Sequence, residues 1–250
     1  MKRTLIFFEI LCMIFFLLFS SADKRTQFLT SLAGPGMLSL VKQASAKATA
    51  SENFSTDTTA GLPVEEPPRI ALTFDDGPSP LYTERLLDGL KERGVVATFF
   101  VTGENAESCP DLIRREKADG HLIGNHTYSH IQLTSDNKEV FREELVKTNK
   151  ILKAITGENV TYIRPPYGSW DKSLEQDLNM FPVLWNVDPL DWCTPDAGLV
   201  MSRVLQQVED GDIILLHDYY DTSVTAALMI VDEMKKQGYE FVTVEEILFD

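Results

Sequence analysis

The feature that most constrains this chain is a repeated unit: a run of two to five apolar, β-favouring residues, then a polar loop, then an amphipathic stretch of helical periodicity. Residues 70–74, 97–101, 122–123, 162–163, 183–185, 213–216 and 241–242 read as short buried strands. Residues 80–93, 111–118, 138–155, 171–179, 197–209 and 222–237 read as the helices between them. Strands that alternate with helices are joined by crossovers and therefore lie parallel. About seven such units in the 182 residues from Arg69 to Asp250 predict an α/β fold, a distorted, incomplete (β/α)7 barrel of TIM type. An open doubly wound sheet is the competing architecture.

Ionisable residues gather where these strands end. Phe74 leads into Asp75-Asp76-Gly77-Pro78, Ile123 into a loop with His126 and His130, and Ile163 into Arg164-Pro165-Pro166-Tyr167-Gly168. Val187 leads into Asp188 and Asp191-Trp192, and Leu216 into His217-Asp218. The carboxyl ends of parallel strands face one side of a barrel, so the five loops should converge on one cleft. On a helical turn, histidines four apart face the same way and can share a cation, which Asp75 or Asp76 could complete as a His-His-carboxylate set. Taken singly, each motif has an ordinary reading: a polar histidine pair, turn punctuation in Asp-Asp-Gly-Pro, a rigid turn in Pro-Pro-Tyr-Gly. Their coincidence is informative, because three of the four histidines follow predicted strands, while His121 reads as structural.

Charge and termini narrow the setting. Thirty-eight acids against 23 bases give a formal net charge of −15, all of it beyond residue 66, which disfavours an electrostatic grip on nucleic acid or anionic lipid. Lys2 and Arg3 precede the apolar run 4–19, interrupted by Glu9 and ending at Ser20-Ser21-Ala22. Residues 1–22 thus read as a signal peptide cleaved after Ala22 or, uncleaved, as a signal anchor, the only expected contact with a membrane. Residues 23–68 are rich in Ser, Thr, Ala, Lys and Glu, carry a weak apolar cluster near 28–41, and end in Pro67-Pro68; they read as a flexible stalk. The expected location is the extracellular face of the cell, secreted or anchored. Cys12 lies in the apolar run, and Cys109 and Cys193, without C-x-x-C spacing, read as free buried thiols.

Taken together, Thr73-Phe74-Asp75-Asp76-Gly77-Pro78, His126-Thr127-Tyr128-Ser129-His130, Arg164-Pro165-Pro166-Tyr167, Asp188-Pro189-Leu190-Asp191-Trp192 and Leu215-Leu216-His217 resemble the five ordered motifs of polysaccharide deacetylases, the carbohydrate esterases with a NodB-type domain. The resemblance covers about 69–250 and leaves 1–68 outside. It implies a metal-dependent N-deacetylase that releases acetate from N-acetylglucosamine units of a cell-surface polysaccharide, peptidoglycan first. Poly-N-acetylglucosamine, chitin oligomers and xylan offer the same chemistry, and a glycan-binding domain without activity is the alternative of another class. No protein partner is implied.

The same resemblance implies roles. Asp76, His126 and His130 would hold a divalent cation, zinc first, with cobalt or another divalent metal as a substitute. Asp75 would be the general base, and Arg164 would pair with it and keep it charged. Adjacent residues at a strand end point apart, which suits two roles. The backbone N–H of Tyr167 would stabilise the oxyanion. His217 would be the general acid, oriented by Asp191 in preference to Asp188. Trp192 and Leu215 would wall the acetyl pocket, with a core aromatic as the ordinary reading of Trp192. Cys193 stands where a polar residue is expected, and no motif ligand is missing.

Overall fold

The computed structural model describes residues 66–249, apart from the side chains of 175–177. The signal segment, the apolar cluster near 28–41 and all of the stalk before residue 66 lie outside the described residues. Those described belong to a compact unit that begins at Glu65.

Seven strands form one sheet: β1 Arg69–Asp75, β2 Thr98–Val101, β3 Leu122–Asn125, β4 Tyr162–Ile163, β5 Phe181–Pro182, β6 Ile213–His217 and β7 Glu240–Val242. The order is β5-β4-β3-β2-β1-β6, with β7 paired to the first residues of β1, and every pairing is parallel. Helices follow the strands: α1 Thr83–Glu92, α2 Gly103–Ser108, α3 Pro110–Ala118, α4 Lys138–Thr156, α5 Ser173–Leu178, α6 Ala197–Leu205, α7 Asp221–Lys236 and α8 Val244–Phe249. The sheet curls into an incomplete (β/α)7 barrel. Between β5 and β6 closure rests on an isolated bridge from Val187 to Ile214, with the Leu215 N–H donating to the Val187 carbonyl at 2.9 Å.

Strand alternation in β1 aims the site. Ile70, Leu72 and Phe74 face outward into the large core shared with α1 and α7, while Ala71 belongs to the smaller inner cluster with Phe100, Tyr162, Val183 and Ile213. Thr73 and Asp75, in step with Ala71, therefore point into the barrel, where both meet Arg164.

Several sequence boundaries shift. The helix expected at 80–93 begins at Thr83, because the Thr83 hydroxyl accepts from the Ser79 N–H at 2.7 Å and the preceding residues form a turn. The strand expected at 183–185 lies instead at Phe181–Pro182: the carbonyls of Val183 and Leu184 accept from Arg164 at 3.2 and 3.1 Å rather than from a neighbouring strand. The stretch 197–209 is helical only to Leu205. Six-residue α2 and α8 are too short to show a helical apolar period. Cys109 and Cys193 are free thiols as expected but not buried: one is half-buried between α2 and α3, the other exposed at the end of a 3₁₀ turn.

Candidate active site

The carboxyl ends of the strands surround a cavity of about 390 Å³ lined by Asp75, Asp76, His126, His130 and His217, with Tyr167, Trp192 and Leu215 beside them. Arg164 and Asp191 are buried behind it, so the ten residues singled out in the sequence meet in one place. Trp185 and Asp188 also line the cavity. Sequence reasoning placed Trp185 inside a strand, and only its closeness to the Asp188 loop hinted otherwise.

His126 and His130 are not on a helix. They bracket a loop in which Thr127 and His130 take positive φ, 63° and 57°. Glu144 of α4 holds that loop by accepting from the backbone N–H groups of Tyr128 and Ser129 at 2.9 and 2.7 Å and from the Ser129 hydroxyl at 2.9 Å. The Asn125 side chain accepts from the Thr127 N–H at 2.8 Å. The rings come to rest 4.9 Å apart between centroids. Sequence reasoning missed Glu144, since an acidic residue on a solvated helix face carries no signal of its own.

His126 Nδ1 lies 2.6 Å from the Arg164 carbonyl oxygen and so donates to it, leaving the Nε2 lone pair turned toward Asp76. Asp76 Oδ1 sits 3.4 Å from His126 Nε2 and 3.3 Å from His130 Nε2. That oxygen is buried and has no hydrogen-bond partner, an arrangement a divalent cation would satisfy. One ligand atom from each of the three residues falls within 4.8 Å of the others. Burial raises the Asp76 pKa, but the imidazoles of His126, His217 and His130 around it outweigh that and leave Asp76 below its usual value. Burial lowers His130, despite Asp76, and so favours the neutral form that can ligate.

Asp75 and Asp76 do not simply alternate as strand neighbours. Asp75 closes β1, whereas Asp76 has φ 73° and turns back, so both carboxylates face His126. Asp75 Oδ2 is 3.8 Å from His126 Nε2, and its Oδ1 accepts from Arg164 at 2.9 Å. Arg164 is 0% exposed. Its guanidinium also donates to the Thr73 hydroxyl at 2.6 Å and lies 4.3 Å from the Phe100 ring centroid. Burial lowers its pKa while Asp75 opposes that shift.

On the other wall Asp191, almost fully buried, holds His217; Asp188 instead accepts from the Leu190 N–H at 2.8 Å. Burial pushes His217 down, but the hydrogen bond and charge of Asp191, helped by Asp75 and Asp76, raise it to about 9. Tyr167, at φ 59°, projects an exposed ring against His130, with centroids 5.0 Å apart. Trp192 is 53% exposed and so is not a core aromatic; it rims the cavity above the buried Leu215.

Residues 64–183 match the family model for polysaccharide deacetylase. Over 179 residues the chain is 41% identical to the peptidoglycan-N-acetylglucosamine deacetylase PgdA of Listeria monocytogenes, covering 72% of this chain and only 38% of PgdA. It is 40% identical to the Bacillus subtilis peptidoglycan-N-acetylmuramic acid deacetylase PdaC, again over 38% of that protein. The solved PdaC structure superposes with a TM-score of 0.71 at 39% identity, covering 73% of this chain and 90% of the solved one. A Sinorhizobium fredii chitooligosaccharide deacetylase is 42% identical over 69% of this chain and 88% of its own length.

Proposed function

Because the chain belongs to the polysaccharide deacetylase family, we propose that it is a metal-dependent N-deacetylase acting on N-acetylglucosamine units of bacterial peptidoglycan and releasing acetate. The observation that carries this reading is the orphaned Asp76 Oδ1 between two imidazole Nε2 atoms, flanked by the Asp75–Arg164 pair and the His217–Asp191 pair. Asp76, His126 and His130 hold the cation, and their nitrogen and oxygen donors suit zinc, with cobalt able to replace it. A divalent cation bound there polarises the acetamide carbonyl and makes water a better nucleophile.

The chain's own groups supply the proton transfers. Asp75, fixed by Arg164, takes a proton from the attacking water as its oxygen bonds to the carbonyl carbon. The Tyr167 backbone N–H stabilises the oxygen that gains charge. The His217 Nδ1 is engaged by Asp191, so Nε2 gives its proton to the sugar nitrogen as the carbon–nitrogen bond breaks, leaving an amine and acetate. Trp192 and Leu215 enclose the acetyl methyl group.

N-acetylglucosamine is favoured over N-acetylmuramic acid by charge. Apart from His217, whose charge Asp191 already balances, the cavity lining carries Asp75, Asp76 and Asp188 and no Lys or Arg, so a lactyl carboxylate on the reacting sugar would meet no unpaired cationic side chain. The export signal in 1–22, followed by the stalk, favours action at the outer face of the cell. Incubating the zinc-loaded protein with peptidoglycan and with N-acetylglucosamine oligomers, and assaying acetate, tests the reading. Glycan binding without acetate release would support a recognition domain instead.

A further inference from the structure

The turn that carries Asp76 rests on a buried acid that the proton transfers do not use. Asp218 follows His217 at the end of β6 and is 0% exposed. Its carboxylate accepts from the Thr83 hydroxyl at the start of α1, and that hydroxyl accepts in turn from the Ser79 N–H at 2.7 Å. The same carboxyl group fills the space against Gly77: a Cβ built there would lie 2.6 Å from Asp218 Cγ and overlap its oxygens. Gly77 has no left-handed φ, so what its missing side chain provides is room. We propose that Asp218 is a positioning residue for the metal site, holding the Asp76–Ser79 turn through Thr83 and Gly77 so that Asp76 Oδ1 reaches both imidazoles.

Asp76 needs such a hold. Its φ of 73° lies in the left-handed region, which a residue with a side chain keeps only where its surroundings fix it. β1 lies between β2 and β6 in the sheet, and the turn after β1 is held from both neighbours. After β2, the Asn105 side chain donates to the Asp76 carbonyl at 2.7 Å and the Thr102 N–H to the Gly77 carbonyl at 3.1 Å. After β6, Asp218 supplies the other hold. His217 lines the cavity while Asp218, next along the chain, is buried away from it, as strand neighbours that face opposite ways would be. One strand end therefore places the proton donor with one residue and steadies the metal-holding carboxylate with the next. Partners behind a metal ligand set its orientation, and affinity falls when they are lost.

This inference rests on the metal site of the deacetylase reading, and its test separates the two. Zinc affinity by chelator competition, visible absorption of the cobalt-loaded protein, acetate release and Tm are measured for the wild type, Asp218→Ala, Asp218→Asn, Thr83→Val and Thr83→Ser. Asp218→Ala should weaken zinc binding about 10–100-fold and change the cobalt spectrum. It should lower kcat more than it raises KM, because the sugar-binding walls are untouched. Asp218→Asn should keep most of the affinity, since an amide oxygen still accepts from the Thr83 hydroxyl. Thr83→Val should follow Asp218→Ala, and Thr83→Ser, which keeps the hydroxyl, should follow the wild type; this pair decides if Asp218→Ala unfolds. A lower Tm with wild-type zinc affinity and an unchanged cobalt spectrum in Asp218→Ala and Thr83→Val would make Asp218 a brace of the fold alone and overturn the proposal. A wild type that binds zinc but releases no acetate would overturn the deacetylase reading, and zinc affinity in the variants would still decide the role of Asp218.

Discussion

Asp191 grips His217 twice: one carboxylate oxygen accepts from the His217 backbone N–H at 2.8 Å, and the other lies 2.9 Å from Nδ1. The first bond fixes the end of β6 to the 3₁₀ turn Asp191–Cys193, and the second fixes the imidazole tautomer. The carboxylate thus sets both where the ring sits and how tightly it holds its proton.

The pH consequence follows from the sign of the shift. Burial alone would favour neutral His217, yet Asp191, with Asp75 and Asp76, raises it to about 9. A folded pKa above the unfolded value of about 6.5 contributes stability in full below that pH and loses it as pH rises through about 9. Asp191→Asn removes the main opposing charge while burial persists, so the alkaline limb of kcat/KM should move to lower pH. An alkaline limb unmoved in the variant would remove Asp191 from this role.

The two proton-transfer residues should separate by leaving group. His217→Ala and Asp75→Asn should each lose on the order of 10²–10⁴-fold in acetate release from glycan. An activated aryl acetate, whose leaving group needs no proton, should rescue His217→Ala far more than Asp75→Asn. Asp75→Asn should also lower Tm, because it leaves the buried Arg164 guanidinium without its countercharge. Equal rescue of both variants would overturn the division of labour.

Metal retention should track the loop as well as its ligands. His126→Ala and His130→Ala should lose bound zinc and activity together, since each leaves two ligands. Glu144→Ala should keep all three ligands but weaken zinc binding by about 10–100-fold, because the loop carrying His130 loses three hydrogen bonds. Metal content by mass spectrometry and affinity by chelator competition read both. Wild-type affinity in Glu144→Ala would reduce that residue to a bystander.

What the sequence made legible was whatever a strand imposes. Short strands leading into Asp75, His126, Arg164 and His217 implied a shared cleft, and the period of any strand puts Thr73 and Asp75 on one face of β1. The residues that arrange those groups were not legible, because their partners are distant in the chain. Glu144 acts on a loop 15 and 16 residues before it, and Arg164 takes carbonyls from 183 and 184 out of strand pairing. The helical reading of the His126–His130 pair was wrong for the same reason: i,i+4 spacing also suits a loop with two residues at positive φ, and nothing local distinguishes the two.

Glu116 on α3 makes a separate prediction about stability. Its side chain is fully buried, and neither carboxyl oxygen has a hydrogen-bond partner. Burial, with the charge of Asp218 adding to it, pushes its pKa well above the usual 4.5, so the folded protein holds Glu116 as a neutral acid. Unfolding releases it to ionise at its ordinary value. For an acid whose folded pKa is raised, the unfolded state binds fewer protons than the folded state between the two pKa values, and stability falls as pH rises through that window. The slope is at most about 1.4 kcal/mol per pH unit. Glu116→Gln keeps the shape and a similar orphaned polarity but cannot ionise, so it removes the slope without repacking α3. The variant should match the wild type near pH 5 and exceed it increasingly toward pH 8, as read by urea unfolding at a series of pH values. A stability difference that stays constant across that range would show that Glu116 is charged in the folded protein, with a partner that the geometry of α3 does not supply.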